Sequence, residues 1–394
     1  MFYYSIKWLA RCSLLFFFRK KITCGFSLHT LKGPAIIASN HPNSMLDAVV
    51  IACQCRQPAH FVIRSDMFNN PVFRFLLKGL NGIPVYRASE EKEKLKENFS
   101  SIAQCRSILK KNGIIIIFSE GITEHNWKLK PIKSGTARIV YDALCDEQLS
   151  HTLRVVPVGL TYSNYTHPAK TIIIHTGEAF YPGQTGQTDH PGTWKQAFNG
   201  QLLQKLHALV PDLETENDEV QQLWQIFITN ITYKRNCNKL VKQMHHQGAV
   251  LSAVTPGTTL RHKLKRHFLP VQRSGYYKSC FAVVLLCIPA LAGLILNSLF
   301  YFPVKRFART KTRETIFYDS LLFGLFTMLY PVYILITAVL LAYLTGLFVA
   351  LWIIVIPLCG WCTLLFGVHA LKISNHLALT PPERKDMQAF LTPI

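Results

Sequence analysis

Acidic residues are scarce in this chain: 22 Asp and Glu stand against 43 Lys and Arg in 394 residues, a formal charge of +21. The signatures of several enzyme classes are also missing. There is no glycine loop of the Walker type, which argues against nucleotide hydrolysis. There is no G-x-S-x-G elbow, which disfavours a serine hydrolase. The eleven cysteines build no disulfide framework, being scattered, odd in number and often set in apolar runs, as reduced cytoplasmic thiols are. Cys359-Gly360-Trp361-Cys362 spells C-x-x-C, but it sits in an apolar run. Neither it nor His245-His246 nor His262 and His267 has partners at metal spacing, so the sequence predicts no metal and no cofactor.

Charge is almost absent from one long stretch near the C-terminus. Residues 316–371 hold one charged residue, Asp319, and are long enough for two transmembrane helices of about 20 residues each. Thr345-Gly346 makes a reasonable turn between them. The stretch 279–303 is uncharged but flanked by cations: Arg261, Lys263, Lys265, Arg266, Arg273 and Lys278 before it, Lys305, Arg306, Arg309, Lys311 and Arg313 after it. A single span would leave one cluster on the non-cytoplasmic side. Pro289, Gly293 and Asn297 interrupt the stretch, so a re-entrant hairpin is preferred over a single span.

Mean hydropathy of +0.18 with a strongly basic balance fits a membrane protein touching anionic lipid headgroups. A nucleic-acid partner would need a basic face with exposed aromatics away from the apolar segments, and none is evident. The N-terminus is apolar and aromatic, with Lys7 and Arg11 one helical turn apart and then Arg19-Lys20-Lys21. Its apolar run, 12–18, is short, ends in cations and lacks a cleavage site, so an interfacial amphipathic helix is expected over 1–27 rather than a signal peptide.

Between these ends the pattern alternates. Strands are predicted over 34–39, 59–64, 83–86, 113–119, 153–161 and 170–176, and helices over 45–54, 68–79, 90–111 and 134–148. Such alternation predicts an α/β fold, a mixed sheet covered by helices. The predicted organisation is a catalytic domain over 28–180, a helical polar-to-basic extension over 181–278, the apolar stretch 279–303, a basic loop over 304–315, two transmembrane helices over 316–371 and a tail over 372–394. The whole reads as a multi-pass membrane protein with its catalytic domain facing the cytoplasm.

The chemistry concentrates in Asn40-His41-Pro42-Asn43-Ser44-Met45-Leu46-Asp47. A histidine can take a proton from a hydroxyl while a nearby carboxylate fixes its tautomer and stabilises the imidazolium. Pro42 biases His41 toward an extended backbone, in a loop ahead of a helix. Ser44-x-x-Asp47 also reads as a helix capping box. Three further blocks follow: Gly82-Ile83-Pro84-Val85-Tyr86-Arg87; Phe118-Ser119-Glu120-Gly121-Ile122-Thr123 after the apolar run of Ile114 to Ile117; and Val156-Pro157-Val158-Gly159-Leu160, with a proline at the start or edge of a strand.

In order and spacing these four blocks resemble the glycerolipid (PlsC-type) acyltransferase superfamily over roughly residues 30–180. The resemblance implies a glycerol-3-phosphate acyltransferase-like fold, with His41 as general base and Asp47 as its orienting partner. It implies acceptor binding by Asn40, Arg87, Glu120, Gly121 and Thr123, with Pro157 on the donor side or shaping the site. An arginine fork suits phosphate, whereas Glu120 would accept a hydroxyl hydrogen bond or hold Arg87.

Two departures stand out. Five residues separate His41 from Asp47 where the common block has four, so the loop around Pro42-Asn43 must absorb one. The third block also lacks the usual arginine after its Gly-Thr pair, and Lys133 is the candidate second phosphate cation. Both departures resemble the yeast-type glycerol-3-phosphate and dihydroxyacetone-phosphate acyltransferases. The expected reaction is acyl transfer from acyl-CoA or acyl-carrier protein to glycerol 3-phosphate or dihydroxyacetone phosphate in phospholipid synthesis. The alternatives are a 1-acylglycerol-3-phosphate (lysophospholipid) acyltransferase and an inactive membrane lipid-binding protein.

Overall fold

The computed structural model describes residues 1–86, 92–166, 169–184, 190–213, 218–231, 237–252, 273–312 and 315–385. In chain order the elements are α1 (Phe2–Phe17), β1 (Phe18–Gly25), β2 (Ala35–Ser39), α2 (Met45–Gln54), β3 (Ala59–Arg64), α3 (Pro71–Gly79), β4 (Gly82–Val85), α4 (Lys92–Lys110), β5 (Ile114–Phe118), α5 (Ser134–Leu144), α6 (Glu147–Thr152), β6 (Arg154–Tyr162) and β7 (Lys170–Thr176). Six helices follow: α7 (Pro191–His207), α8 (Asp218–Asn230), α9 (Cys237–Ser252), α10 (Arg273–Lys311), α11 (Tyr318–Thr345) and α12 (Val349–Ala378). The fold is the expected mixed α/β sheet with covering helices, followed by long apolar C-terminal helices.

The sheet has seven strands in the order β1-β7-β6-β2-β5-β3-β4. β2 pairs in parallel with β5 and β6, and β3 in parallel with β4 and β5. Strands at the centre of a parallel sheet are buried on both faces, which is why β2 and β5 are near-continuous apolar runs. On one face Ile36, Ala38, Ile115, Ile117 and Val155 pack with Leu109 of α4, Val140 of α5 and Phe198 and Leu202 of α7. Parallel pairing also brings the carboxyl ends of β2, β3, β4, β5 and β6 to one edge, where open α/β sheets place their ligands.

Two compact units emerge, one of Met1–Arg11, Ile22–Thr161 and Ile173–Asp212, the other of Cys12–Lys21, Tyr162–Ile172 and Leu213–Ile394. The first runs past the boundary expected at residue 180, because Trp194, Phe198, Leu202 and Leu206 of α7 belong to the sheet's own core. The single helix expected over 134–148 is two helices, since Asp146 caps a new one by accepting from the Leu149 N–H. The N-terminal segment also departs from expectation: helix ends at Phe17, and 18–25 is a sheet strand.

Within the first unit, the cations of α1 are used internally. Arg11 donates through Nε and Nη2 to the Cys53 carbonyl at 3.1 and 2.9 Å, and Lys7 Nζ donates to the Cys55 carbonyl at 2.7 Å. Cations there satisfy the last carbonyls of α2 and favour the negative end of its dipole. The Ala59 N–H donates to the Tyr3 hydroxyl. The helix is thus packed on the sheet domain through Lys7 and Arg11, rather than offering them to headgroups.

Within the second unit, α10 is one continuous helix, correcting the hairpin preferred over 279–303 and absorbing much of the basic loop expected over 304–315. The three interrupting residues act as packing features. A side chain at Gly293 would meet the Cys359 carbonyl at 2.0 Å, so only glycine allows α12 this close. Asn297 donates to the Gly293 carbonyl at 2.9 Å and accepts from the Tyr330 hydroxyl at 2.7 Å. Thr363 donates to the Ala290 carbonyl next to Pro289. α10, α11 and α12 are each long and apolar enough to cross a membrane. Asp319 is buried against Lys170, whose ammonium lies 5.1 Å from the Phe17 ring centre, so this charge is paired as buried charges must be. Arg19 and Lys20 donate to the Thr229 and Ile231 carbonyls at the end of α8.

Candidate functional site

His41 stands two residues beyond the end of β2, at the carboxyl edge of the sheet. Its Nδ1 lies 2.9 Å from Asp47 Oδ2, and the carboxylate is 0% exposed against 19% for the imidazole. The same oxygen accepts from the Asn43 N–H at 2.7 Å. A carboxylate at Nδ1 favours the tautomer that carries its proton there, leaving the Nε2 lone pair as the basic site. The ring stacks on Phe118, with centroids 3.9 Å apart and planes 13° from parallel.

The five-residue spacing is absorbed where the loop turns into α2. Ser44 takes φ +50°, a region costly for a residue with a side chain, and makes no capping bond, so half of the expected capping box is absent. Asp47 reaches back one residue beyond this N-cap, to the Asn43 N–H, and the oxygen that closes this turn also holds His41.

Glu120, two residues beyond β5, is buried and organises the site. One carboxylate oxygen accepts from the His41 N–H at 3.0 Å and the other from the Lys130 N–H at 3.1 Å. Both oxygens thus hold backbone N–H groups. Burial raises its pKa from the ordinary glutamate value, opposed by those two hydrogen bonds and by the Lys130 charge. The folded protein therefore holds this proton more tightly than the unfolded chain does. On its own, Glu120 contributes most to stability below the ordinary glutamate range, and that contribution is lost as pH rises through the raised value. Glu120→Gln is expected to flatten the pH dependence of thermal unfolding from the ordinary glutamate range upward. Its amide can accept only one of the two N–H groups, so the variant should also be less stable at neutral pH by about 1–3 kcal/mol.

Gly121 has φ +66°, the left-handed region that glycine tolerates, and a Cβ added there would meet Lys133 Cγ at 3.1 Å. Lys133 is exposed, and its N–H donates to the Ser119 carbonyl at 2.8 Å. Thr123 is half-buried in the same loop, and no hydrogen bond ties it to the cluster among the described residues. Asn40 is 3% exposed and spends its amide on Leu160, donating to the carbonyl at 3.0 Å and accepting from the N–H at 2.8 Å. It pins the exit of β2 to β6. Arg87 lies outside the described residues; the preceding strand, β4, ends at Val85 on the same sheet edge.

Pro157 is not at a strand's start or edge but in the interior of β6, opposite Ala38. In an extended strand a residue's N–H and C=O face the same side. Its carbonyl accepts from the Gly177 N–H, so the missing donor faces the chain where β7 has just ended.

Lys130 has no counterpart among the residues expected from sequence. It is buried to 9% exposure, and its ammonium lies 3.2 Å from the more exposed Glu124 carboxylate. The Glu120 carboxylate ties its backbone to that of His41, so a base and a cation share one support. Nothing in the run Lys128-Leu129-Lys130 marks which lysine turns inward.

Residues 21–161 match the family model described as Acyltransferase, a segment that contains His41, Asp47, Arg87, Glu120, Lys130 and Pro157. Among solved structures, the chain is similar to the 1-acyl-sn-glycerophosphate (LPA) acyltransferase PlsC from Thermotoga maritima. That likeness has 16% identity and a TM-score of 0.36, and covers 52% of this chain and 79% of that one. No curated protein matches. The likeness to the Acyltransferase family thus lies in residues 21–161, less than half of the chain.

Proposed function

We propose that this acyltransferase moves a fatty acyl group from the thioester of acyl-CoA or acyl-carrier protein to a hydroxyl of glycerol 3-phosphate or dihydroxyacetone phosphate. The observation that carries the reading is the single Glu120 carboxylate joining the His41 base to the Lys130 cation. The acceptor phosphate displaces Glu124 from Lys130, with Lys133 and Arg87 as further cations. That sets the acceptor hydroxyl beside His41 Nε2.

His41 then takes the hydroxyl proton as the oxygen attacks the thioester carbonyl, and Asp47 stabilises the imidazolium. The tetrahedral intermediate collapses with loss of the C–S bond, and the departing thiolate takes the proton back from His41. The atoms balance with no acyl-enzyme and no cofactor. Asn40 and Pro157 act on the shape of the site and not on substrate.

Lys130→Ala is expected to raise KM for glycerol 3-phosphate about 10–100-fold, the worth of a hydrogen bond to a charged group, with KM for acyl-CoA unchanged. Steady-state rates in membranes carrying each variant test this. Equal KM values for the phosphorylated acceptor would remove Lys130 from the site. Efficient acylation of lysophosphatidate with none of glycerol 3-phosphate would move the acceptor assignment to the lysophospholipid.

A further inference from the structure

α3 is a helix with no buried side chain, yet five of its nine residues are Val72, Phe73, Phe75, Leu76 and Leu77, and Phe75 is 72% exposed. Its position is fixed. Asn70 accepts from the Val72 and Phe73 N–H groups, and Arg74 Nε donates to the Phe68 carbonyl at 2.8 Å. The apolar display is therefore a property of a capped, anchored helix.

The first turns of α1 extend the same face. The Phe2 ring lies 6.2 Å from that of Phe75, and a side chain at Gly79 would strike Phe2 at 2.7 Å. Tyr4 and Trp8 are exposed beyond it, Trp8 to 64%. Neither helix contains an acidic residue, while Arg74 and Lys78 of α3 are exposed. The acid in the turn before α3, Asp66, is paired with Arg64.

We infer that α3 and the first turns of α1 form one docking face for the surface of an anionic lipid bilayer. A contiguous apolar patch on an otherwise polar domain marks an interaction site. At nine residues α3 is too short to cross a bilayer, but it can lie in the headgroup region with its aromatics at the acyl boundary. Tyr and Trp favour that depth, and cations without acids complement anionic headgroups. The face follows β3, whose carboxyl end is at the sheet edge that bears His41. Docking would therefore hold that edge close to where acyl chains are found.

The test uses the full chain in proteoliposomes containing anionic phospholipid, with the photoreactive analogue p-benzoylphenylalanine placed at Phe75 or, as a control, at the equally exposed Phe99 of α4. After irradiation, mass spectrometry identifies what each position has captured. Several-fold more phospholipid adduct at Phe75 than at Phe99 is expected. Capture of a second copy of the chain at Phe75, or no excess of lipid over Phe99, would overturn the proposal. The readout does not depend on acyl transfer, so it stands or falls separately from the proposed reaction.

Discussion

His41→Ala is expected to lower the acyl-transfer rate by about 10²–10⁴-fold, the usual worth of a positioned general base. The substitution should leave the fold in place. The imidazole is partly exposed, and its removal leaves Asp47 still accepting the Asn43 N–H, so no buried carboxylate is stranded. Glu120 holds the backbone N–H at position 41, not the ring, and that bond survives. KM values for donor and acceptor should therefore stay near those of the wild type while kcat falls. Thermal unfolding run beside the kinetics separates lost chemistry from lost structure. Unchanged kcat in a folded variant would remove His41 from the mechanism.

Asp47→Asn carries the second large effect, a fall in kcat of about 10²–10⁴-fold with the site geometry kept. One oxygen, Oδ2, holds both His41 Nδ1 and the Asn43 N–H, and an amide oxygen in its place can still accept from both. What the amide lacks is the charge that stabilises the imidazolium. Asp47→Ala differs, because it frees the Asn43 N–H and loosens the turn around Ser44. That variant should lose about 1–3 kcal/mol of stability in addition. Comparing the pair of variants by unfolding and by kcat separates the electrostatic role from the structural one. A fully active, stable Asp47→Asn would show that His41 needs no carboxylate.

The central strands were legible because a parallel sheet buried on both faces writes itself as runs such as Ile114 to Ile117. β1 was not. It is an edge strand carrying Arg19, Lys20 and Lys21, and edge strands tolerate charge that reads in sequence as a basic cluster. The destinations of those cations were equally hidden, since Arg19 and Lys20 serve carbonyls some 210 residues away.

α10 was misread for a related reason. Pro289, Gly293 and Asn297 look like breaks when the helix stands alone, and their partners Thr363, Cys359 and Tyr330 are on other helices. At the site, His41 and Asp47 were visible through their neighbours in sequence, and Glu120 was visible as a residue but not in its role. Its two backbone partners, 79 and 10 residues away, exist only once β2 and β5 are paired.

The most direct test of the account is product formation by the purified wild-type chain in lipid nanodiscs, supplied with labelled long-chain acyl-CoA and glycerol 3-phosphate, dihydroxyacetone phosphate or lysophosphatidate. The account predicts a labelled monoacyl product from one or both small phosphorylated acceptors and little turnover of lysophosphatidate. Folded, correctly inserted protein that transfers no acyl group to any of the three would contradict it.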